Sequence, residues 1–133
     1  MCRYVSPAVD VTQFIILCTD KSLRDQHYND FLKIYYKSLS DHLASLGGNI
    51  DTDFPYNVFE AQLKRCGKMG LCIAVFAMPL MTSDPKDIPM MDDFADSYNN
   101  KNEIPNFVNE KNSTKYHERM GGIIRDIINY EYL

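Results

Sequence analysis

Few side chains in this chain have the types and spacing that catalysis requires. The sequence contains three histidines, and none has a metal-ligating partner at a suitable spacing: His27, His42 and His117. All three fall on predicted helices, and we expect surface or helix-capping roles for them. The sequence also lacks a glycine-rich nucleotide loop, an HExxH helix and a GxSxG turn. It therefore predicts no catalytic residue.

A short acidic cluster, formed by Asp92, Asp93 and Asp96, has the composition of a metal site. Carboxylates of this kind hold magnesium together with substrate phosphates. Acidic residues at the start of a helix more often interact with the helix dipole, however, and a short helix is predicted at residues 90–98. We therefore predict no metal ligand.

The four cysteines form no recognisable pattern. Cys66 and Cys72 are too far apart for a CxxC pair, and the spacing of Cys2 and Cys18 completes no zinc site. Three of the four lie in or beside apolar runs, where a thiol behaves as a small hydrophobic side chain. We expect reduced cysteines in the core of a cytoplasmic protein.

Composition excludes several classes of partner. The chain of 133 residues has a net charge of -4, and its 14 basic residues are scattered, which argues against nucleic acid. No signal peptide is visible at the start of the sequence. The longest apolar run, residues 69–81, contains Pro79 and is too short to span a bilayer. We expect neither a nucleic-acid nor a membrane partner.

The apolar stretch at residues 6–18 stands out because it contains a single carboxylate, that of Asp10. Ser6 followed by Pro7 is typical of a helix start, since proline has the backbone angle of a first helical turn. A charge within an apolar run is costly unless it is solvated or hydrogen-bonded. We therefore expect Asp10 to lie on a narrow wet face or to have a specific partner.

Apolar residues recur at spacings of three and four, which predicts an all-α fold of five or six helices in a single domain. The predicted helices are residues 8–19, 22–46, 55–66, 68–82 and 113–131, with 90–98 as a short sixth. Residues 49–53, 83–89 and 99–102 are predicted to be polar loops. The helix at 68–82 is apolar on all sides, which is typical of a central buried helix.

Helix ends and breaks are also predicted. Asp20 and Ser22 are both candidate caps for the second helix, and residues 22–25 have the form of a capping box. Gly47 and Gly48 should end this helix, because glycine tolerates the left-handed conformation. Gly67 and Gly70 should bracket a junction, and a glycine pair at 121–122 should reflect either a close helix contact or a local break.

Aromatic and methionine side chains are abundant, with nine Tyr and seven Met. Together they could line an apolar pocket for a small molecule, with Tyr35, Phe76 and Met78 on its substrate side. Ordinary core packing is the alternative.

The order of several short motifs resembles that of the ecdysteroid kinase-like (CHK kinase-like) family, whose relatives include choline and aminoglycoside kinases. In this family a D-F-Q motif precedes a short link and S-P-x-x-D-[LV], which Ser6–Val11 of this chain resembles. The motifs that follow in the family's order are Asp25-Gln26-His27, Phe31-Leu32, Tyr35-Tyr36, Leu46-Gly47, Phe54-Pro55-Tyr56, Cys66 to Leu71, Met78-Pro79-Leu80 and a closing helix from Arg119 to Leu133.

The resemblance implies the helical C-terminal lobe of a protein-kinase-like fold, with residues 1–133 forming a partial domain. Such enzymes use ATP and magnesium to phosphorylate a hydroxyl of a small molecule, here an ecdysteroid or another alcohol. The family's glycine-rich lobe, ATP-binding lysine, catalytic loop and D-F-Q aspartate are missing from this sequence. We therefore expect a fragment that is inactive alone and that holds no cofactor itself. A non-enzymatic helical module for an apolar ligand or a protein partner is the alternative.

Asp10 acquires a specific role from the resemblance. In kinase-like folds an aspartate at this place accepts hydrogen bonds from the backbone of the catalytic loop, which would make Asp10 the anchor of a loop that this sequence lacks. We expect Asp10 to be exposed or to lack hydrogen-bond partners. The alternative is a surface aspartate in the first helical turn, stabilised by the helix dipole.

Overall fold

Six α-helices make up the described part of the chain. The computed structural model describes residues 5–88 and 108–133. The helices are α1 (Pro7–Cys18), α2 (Lys21–Ser45), α3 (Ile50–Asp53), α4 (Tyr56–Cys66), α5 (Lys68–Thr82) and α6 (Ser113–Asn129). A short 3₁₀ turn spans Pro85–Asp87, and no β-strand occurs within the two described ranges. The prediction of an all-α fold is confirmed.

Some predicted features lie outside the described residues. They are the helix at residues 90–98 with its acidic cluster of Asp92, Asp93 and Asp96, the polar stretch at 99–102, and Cys2. These features stay predictions.

The first helix, α1, lies at the centre of the bundle. It packs against α5, α4 and α2, and α6 packs on α5 and α2. The buried face of α1 is formed by residues at helical spacing, among them Val11, Ile15 and Ile16. Other buried apolar side chains come from the remaining long helices and the C-terminal segment: Leu32, Phe59, Leu63, Ala74, Met78, Met120, Ile123, Ile127 and Tyr132.

The start of α1 agrees with the Ser-Pro signal in the sequence. The Oγ atom of Ser6 accepts a hydrogen bond from the backbone N–H of Ala8 at 3.1 Å, and Pro7 is the first helical residue. Serine at this position satisfies one of the N–H groups that have no partner within the helix. The apolar stretch at residues 6–18 is therefore a core helix with a defined beginning.

The start of α2 differs from the predicted capping box. Asp20 is the N-cap, and its Oδ1 atom accepts hydrogen bonds from the N–H of Leu23 at 2.8 Å and the hydroxyl of Ser22 at 2.9 Å. Asp25 instead pairs with Lys21 in the first turn. The capping box at residues 22–25 was wrong because the extended backbone at Asp20 already lets the helix begin at Lys21.

The end of α2 follows the glycine signal. Gly47 has a φ of 84°, in the left-handed region. Its N–H donates to the carbonyl of Ala44 at 3.0 Å, and the N–H of Gly48 donates to that of Leu43 at 3.0 Å. This pair of hydrogen bonds is a Schellman motif.

Residues 50–53 form the short helix α3 with Asn49 as its N-cap, so the prediction of a polar loop at residues 49–53 was wrong. The side chain of Asn49 accepts from the N–H of Asp51 at 3.0 Å, and Asp53 accepts from the N–H of Asn49 at 2.9 Å. These reciprocal hydrogen bonds satisfy backbone donors that a loop would leave to water, and they stabilise the single turn of α3.

The helix α5 has the predicted bounds but is buried on one side only. Gly70, Ala74, Met78 and Thr82, at every fourth position, form its buried stripe. Phe76 is 67% exposed on another face. The prediction of a helix buried on all sides was wrong because α1 and α6 cover a single face.

The prediction of core cysteines was also wrong for two of them, since Cys18 and Cys72 are exposed.

The junction between α4 and α5 is a bend of 47° at Gly67. The ring of Tyr132 packs directly against Gly67, where a Cβ atom would overlap it. One turn later, Gly70 lets α5 approach α1, since a Cβ there would lie 3.2 Å from the methyl group of Thr12. Both glycines permit close packing, and the break between the two helices lies at Gly67, where a junction was predicted.

None of the described helices has by itself the length and apolar composition that a membrane span requires. The bent pair formed by α4 and α5 reaches both criteria when its two helices are taken together. This result concerns length and composition alone.

A buried ion pair connects α2 with α6. Arg24 and Asp126 each expose 1% of their side chains, and the Nε atom of Arg24 donates to Oδ2 of Asp126 at 2.6 Å. Lys21 donates to the other carboxylate oxygen at 2.9 Å. Gly122 permits this approach, since a Cβ there would lie 3.3 Å from the Cβ of Lys21. A close helix contact therefore explains Gly122.

Replacing Asp126 with asparagine should lower the free energy of unfolding by about 3–5 kcal/mol, because Arg24 would stay buried without its counter-charge. Urea unfolding followed by circular dichroism measures the loss. Asp41→Asn, in the exposed pair with Lys37, is the control and should cost at most about 1 kcal/mol. The double variant Arg24→Met/Asp126→Leu should be more stable than Asp126→Asn. Equal effects of the two Asp→Asn substitutions would contradict the role of the buried pair.

Gly67→Ala should destabilise the fold by about 1–3 kcal/mol, because the new methyl group would displace the Tyr132 ring. Gly121→Ala is the matched substitution, since the nearest atom to its Cβ would be Nη2 of Arg125 at 3.9 Å. Alanine at this helical position should stabilise the protein by up to about 1 kcal/mol. Thermal unfolding of both variants tests the contrast, and a stabilising Gly67→Ala would refute the contact.

Candidate functional site

An apolar groove between α1 and α2 is the candidate functional site, and we call it the α1–α2 groove. Its volume is about 300 Å³. The lining residues are Val11, Phe14, Ile15, Thr19, Phe31, Ile34, Tyr35 and Ser38. This volume is at the lower end of the range of small-molecule sites, so the groove suits part of a large ligand or the whole of a small one.

The groove follows from the helical periodicity of the two helices. In α1, Val11 and Ile15 are one turn apart and form the floor, whereas Phe14 points outward and is 65% exposed. In α2, the side that lines the groove carries Phe31 and Ile34 and, one turn further along, Tyr35 and Ser38. Ile34 is 68% exposed. Exposing two large apolar side chains on facing rims costs solvation free energy that a bound apolar ligand would recover.

Tyr35, which the sequence predicted as a pocket residue, lines this groove. Its hydroxyl donates to the carbonyl oxygen of Pro7 at 3.2 Å, and its ring stacks on Phe59 at a centroid distance of 6.1 Å. Burial raises the pKa of the Tyr35 phenol, and the negative charge of Asp10 raises this pKa further. The hydroxyl is therefore neutral at physiological pH and orients the ring between the two helices.

Asp10 is exposed and lies near Tyr35, at the N-terminal end of the groove. Within residues 5–88 and 108–133 its carboxylate has no hydrogen bond or ion pair. Such a solvated carboxylate is what the sequence led us to expect. Its role as the anchor of a catalytic loop stays a prediction.

The other two predicted pocket residues do not join Tyr35. Phe76 projects from the exposed face of α5, and Met78 is fully buried in the core. They are two positions apart on one helix, so their side chains point in nearly opposite directions. Tyr35 lines the α1–α2 groove, whereas neither Phe76 nor Met78 does.

The α1–α2 groove is mostly apolar and has few polar groups. Its polar atoms are the hydroxyls of Thr19, Tyr35 and Ser38, and that of Thr19 already donates to the carbonyl of Ile15 at 2.5 Å. Within the described ranges, no three His, Cys, Asp or Glu side chains are grouped to hold a metal ion. The residues that line the groove include no carboxylate or histidine, so the groove itself does not fit magnesium–ATP.

A second cavity, which the sequence did not predict, lies between α2, α4 and the C-terminal segment. We call it the tyrosine cavity, and its volume is about 400 Å³. Its lining residues are Tyr28, Asn29, Leu32, Tyr56, Glu60, Ala61, Leu63, Lys64, Tyr130 and Tyr132. The high tyrosine content was the signal for it, but the sequence does not show which tyrosines meet, because Tyr28 and Tyr132 are 104 positions apart.

The tyrosines of this cavity form a connected cluster. The rings of Tyr28 and Tyr130 stack at a centroid distance of 3.8 Å, and the hydroxyls of Tyr28 and Tyr132 share a hydrogen bond. Burial is the largest cause that raises the pKa values of all three phenols. The folded protein therefore holds these phenol protons more tightly than the unfolded chain does.

These raised pKa values predict that stability is lost at alkaline pH. The stabilisation is fully present below about pH 10, the ordinary tyrosine pKa, and decreases as the pH rises above it. Urea unfolding at pH 9, 10 and 11 measures the decrease. Tyr28→Phe should reduce the dependence on pH, whereas Tyr116→Phe, outside the cluster, should leave it unchanged. An identical pH dependence in both variants would contradict this assignment.

Comparison with known proteins gives one match. The family model described as the ecdysteroid kinase-like family matches residues 1–48. A search of curated proteins and a search of solved structures found no match. The matched residues include both helices of the α1–α2 groove and end at Gly48, in the turn that closes α2. The family resemblance of the sequence is thus confirmed over these 48 residues, and the match supports the assignment of this chain to the ecdysteroid kinase-like family.

Proposed function

We propose that this chain is the helical, acceptor-side part of an ATP-dependent small-molecule kinase and that its α1–α2 groove binds the apolar part of the acceptor alcohol. An ecdysteroid is the acceptor that the family name suggests. The observation that carries the proposal is the position of the groove, because every residue that lines it lies within the stretch matched by the family.

The groove suits such an acceptor. A steroid presents a rigid apolar surface, and the exposed rings and methyl groups of Phe14 and Ile34 offer a matching one. Ser38 adds a hydroxyl that could hydrogen-bond to a hydroxyl of the ligand. The volume of about 300 Å³ suits one end of a steroid, with the remainder in solvent or against another segment.

Phosphoryl transfer should not occur on this chain alone. The reaction requires residues that hold the phosphates and metal in line with the acceptor. The motifs that supply them in the family are missing from this sequence, and the described residues contain no group of metal ligands. ATP and magnesium would bind to the parts of a complete enzyme that carry those motifs. Asp10 is free to accept hydrogen bonds from such a part, since its carboxylate is solvated.

An ecdysteroid such as 20-hydroxyecdysone should bind this chain and raise its thermal midpoint, whereas magnesium–ATP should not. Phe14→Ser removes apolar contact area and should weaken the affinity at least about tenfold, as expected for one aromatic side chain. Ile128→Ser, on the outer face of α6 where Ile128 is 58% exposed, is the control and should leave binding unchanged. Isothermal titration calorimetry measures both affinities.

Three results would count against the proposal. They are the absence of saturable ecdysteroid binding, an equal loss of affinity in Phe14→Ser and Ile128→Ser, and transfer of ³²P from ATP to the steroid by this chain alone. The last result would show that a catalytic set exists here after all.

A non-enzymatic binding module is the second candidate, because the same groove would hold an apolar ligand without any phosphoryl transfer. The two functions differ in the coding sequence upstream of Met1. An in-frame H-x-D and D-F-Q in the transcript would support the kinase, and a transcript without them would favour the module.

A further inference from the structure

The tyrosine cavity is separate from the α1–α2 groove. The two cavities share no lining residue, and they lie on different faces of α2. The tyrosine cavity is also the larger of the two, with about 400 Å³ against about 300 Å³. What it binds can therefore be inferred independently of the proposed function.

Aromatic rings form much of its wall. The stacked pair of Tyr28 and Tyr130 lies on one side, and Tyr56 lies on the α4 side, where its ring meets Tyr36 edge-on at 4.9 Å. These contacts fix the rings, so little conformational entropy is lost when a ligand packs against them. Tyrosine rings attract other aromatic rings and, through the negative potential of their faces, cations.

The charges at the rim favour a cation. Lys64 forms an ion pair with Glu131, so its charge is largely balanced. Glu60, one turn before Lys64 on α4, has no ion pair or hydrogen bond among the described residues. Lys64 also lies in the field of Glu60, so one cation faces two carboxylates, and these three side chains together carry a net charge of -1. The field of Glu60 reaches the cavity wall, since it contributes to the raised pKa of Tyr56.

The remaining polar groups fit the same ligand. The hydroxyls of Tyr56 and Tyr130 and the amide of Asn29 line the cavity without a hydrogen-bond partner in the described residues. Each can accept a hydrogen bond from an ammonium group or from a ligand hydroxyl. A carboxylate on the ligand would instead face Glu60 and be repelled.

We propose that the tyrosine cavity binds a small organic cation with an aromatic body, such as an arylalkylamine. Its ring packs against Tyr28, Tyr56 and Tyr130, and its ammonium group pairs with Glu60 at the rim. Neutral compounds with the same ring bind more weakly, and anions bind most weakly.

Three probes with one ring system and different charges test this proposal. Tyramine is the cation, 4-ethylphenol the neutral analogue and 3-(4-hydroxyphenyl)propionate the anion. Calorimetry on the intact chain should give saturable binding with affinities in the order cation, neutral, anion. In NMR spectra, tyramine should shift the ring signals of Tyr28, Tyr56 and Tyr130 but not that of Tyr35, in the other groove.

The rim charge is tested by Glu60→Gln, an exposed position where the fold should be retained. This variant should weaken tyramine binding about two- to fivefold, as expected for a solvent-exposed ion pair, and leave 4-ethylphenol binding unchanged. Glu118→Gln, at an exposed position of α6, is the matched control and should change neither affinity. Tyr56→Leu should weaken both ligands.

Several results would overturn the proposal. They are the absence of saturable tyramine binding, equal or tighter binding of the neutral or anionic probe, and equal effects of Glu60→Gln and Glu118→Gln. Tyramine-induced shifts at Tyr35 in place of the cavity tyrosines would assign the cation to the α1–α2 groove instead.

Discussion

The relative position of three helices depends on the side chain of Arg24. Its guanidinium group donates to Asp126 on α6 and to the carbonyl oxygen of Thr19 after α1 at 2.6 Å. Arg119 of α6 donates to the carbonyl of Leu17, at the same end of α1, at 2.9 Å. Because a buried guanidinium tolerates little change in the position of its partners, these hydrogen bonds hold α1, α2 and α6 in one arrangement.

Both cavities depend on α2, which is the longest of the described helices. A helix of 25 residues presents more than one face to its neighbours. One face of α2, with Phe31 and Tyr35, meets α1 and forms the α1–α2 groove. Another face, with Tyr28 and Leu32, meets α4 and the C-terminal segment and forms the tyrosine cavity. Because Arg24 fixes the position of α2, it also fixes the positions of the α1–α2 groove and the tyrosine cavity.

Local signals in the sequence were sufficient for much of the fold. The Ser6–Pro7 start, the Gly47 end of α2 and the bounds of α5 are set by interactions within a few residues, and they were predicted. The α1–α2 groove was predicted only through Tyr35, and the tyrosine cavity was not predicted. The pairing of Arg24 with Asp126 spans 102 positions, and no local pattern indicates it. The exposure of Phe76 depends on which helices cover α5, and the composition of the sequence does not show this arrangement.

The contact between Tyr132 and Gly67 has a consequence for the order of events during synthesis. The bend between α4 and α5 is supported by a ring from a segment that emerges from the ribosome only after α6. Until then Gly67 lacks the packed ring of Tyr132, so the angle between α4 and α5 is less restricted. Because contacts between distant residues close late in folding, this bend is expected to be among the last features to become fixed.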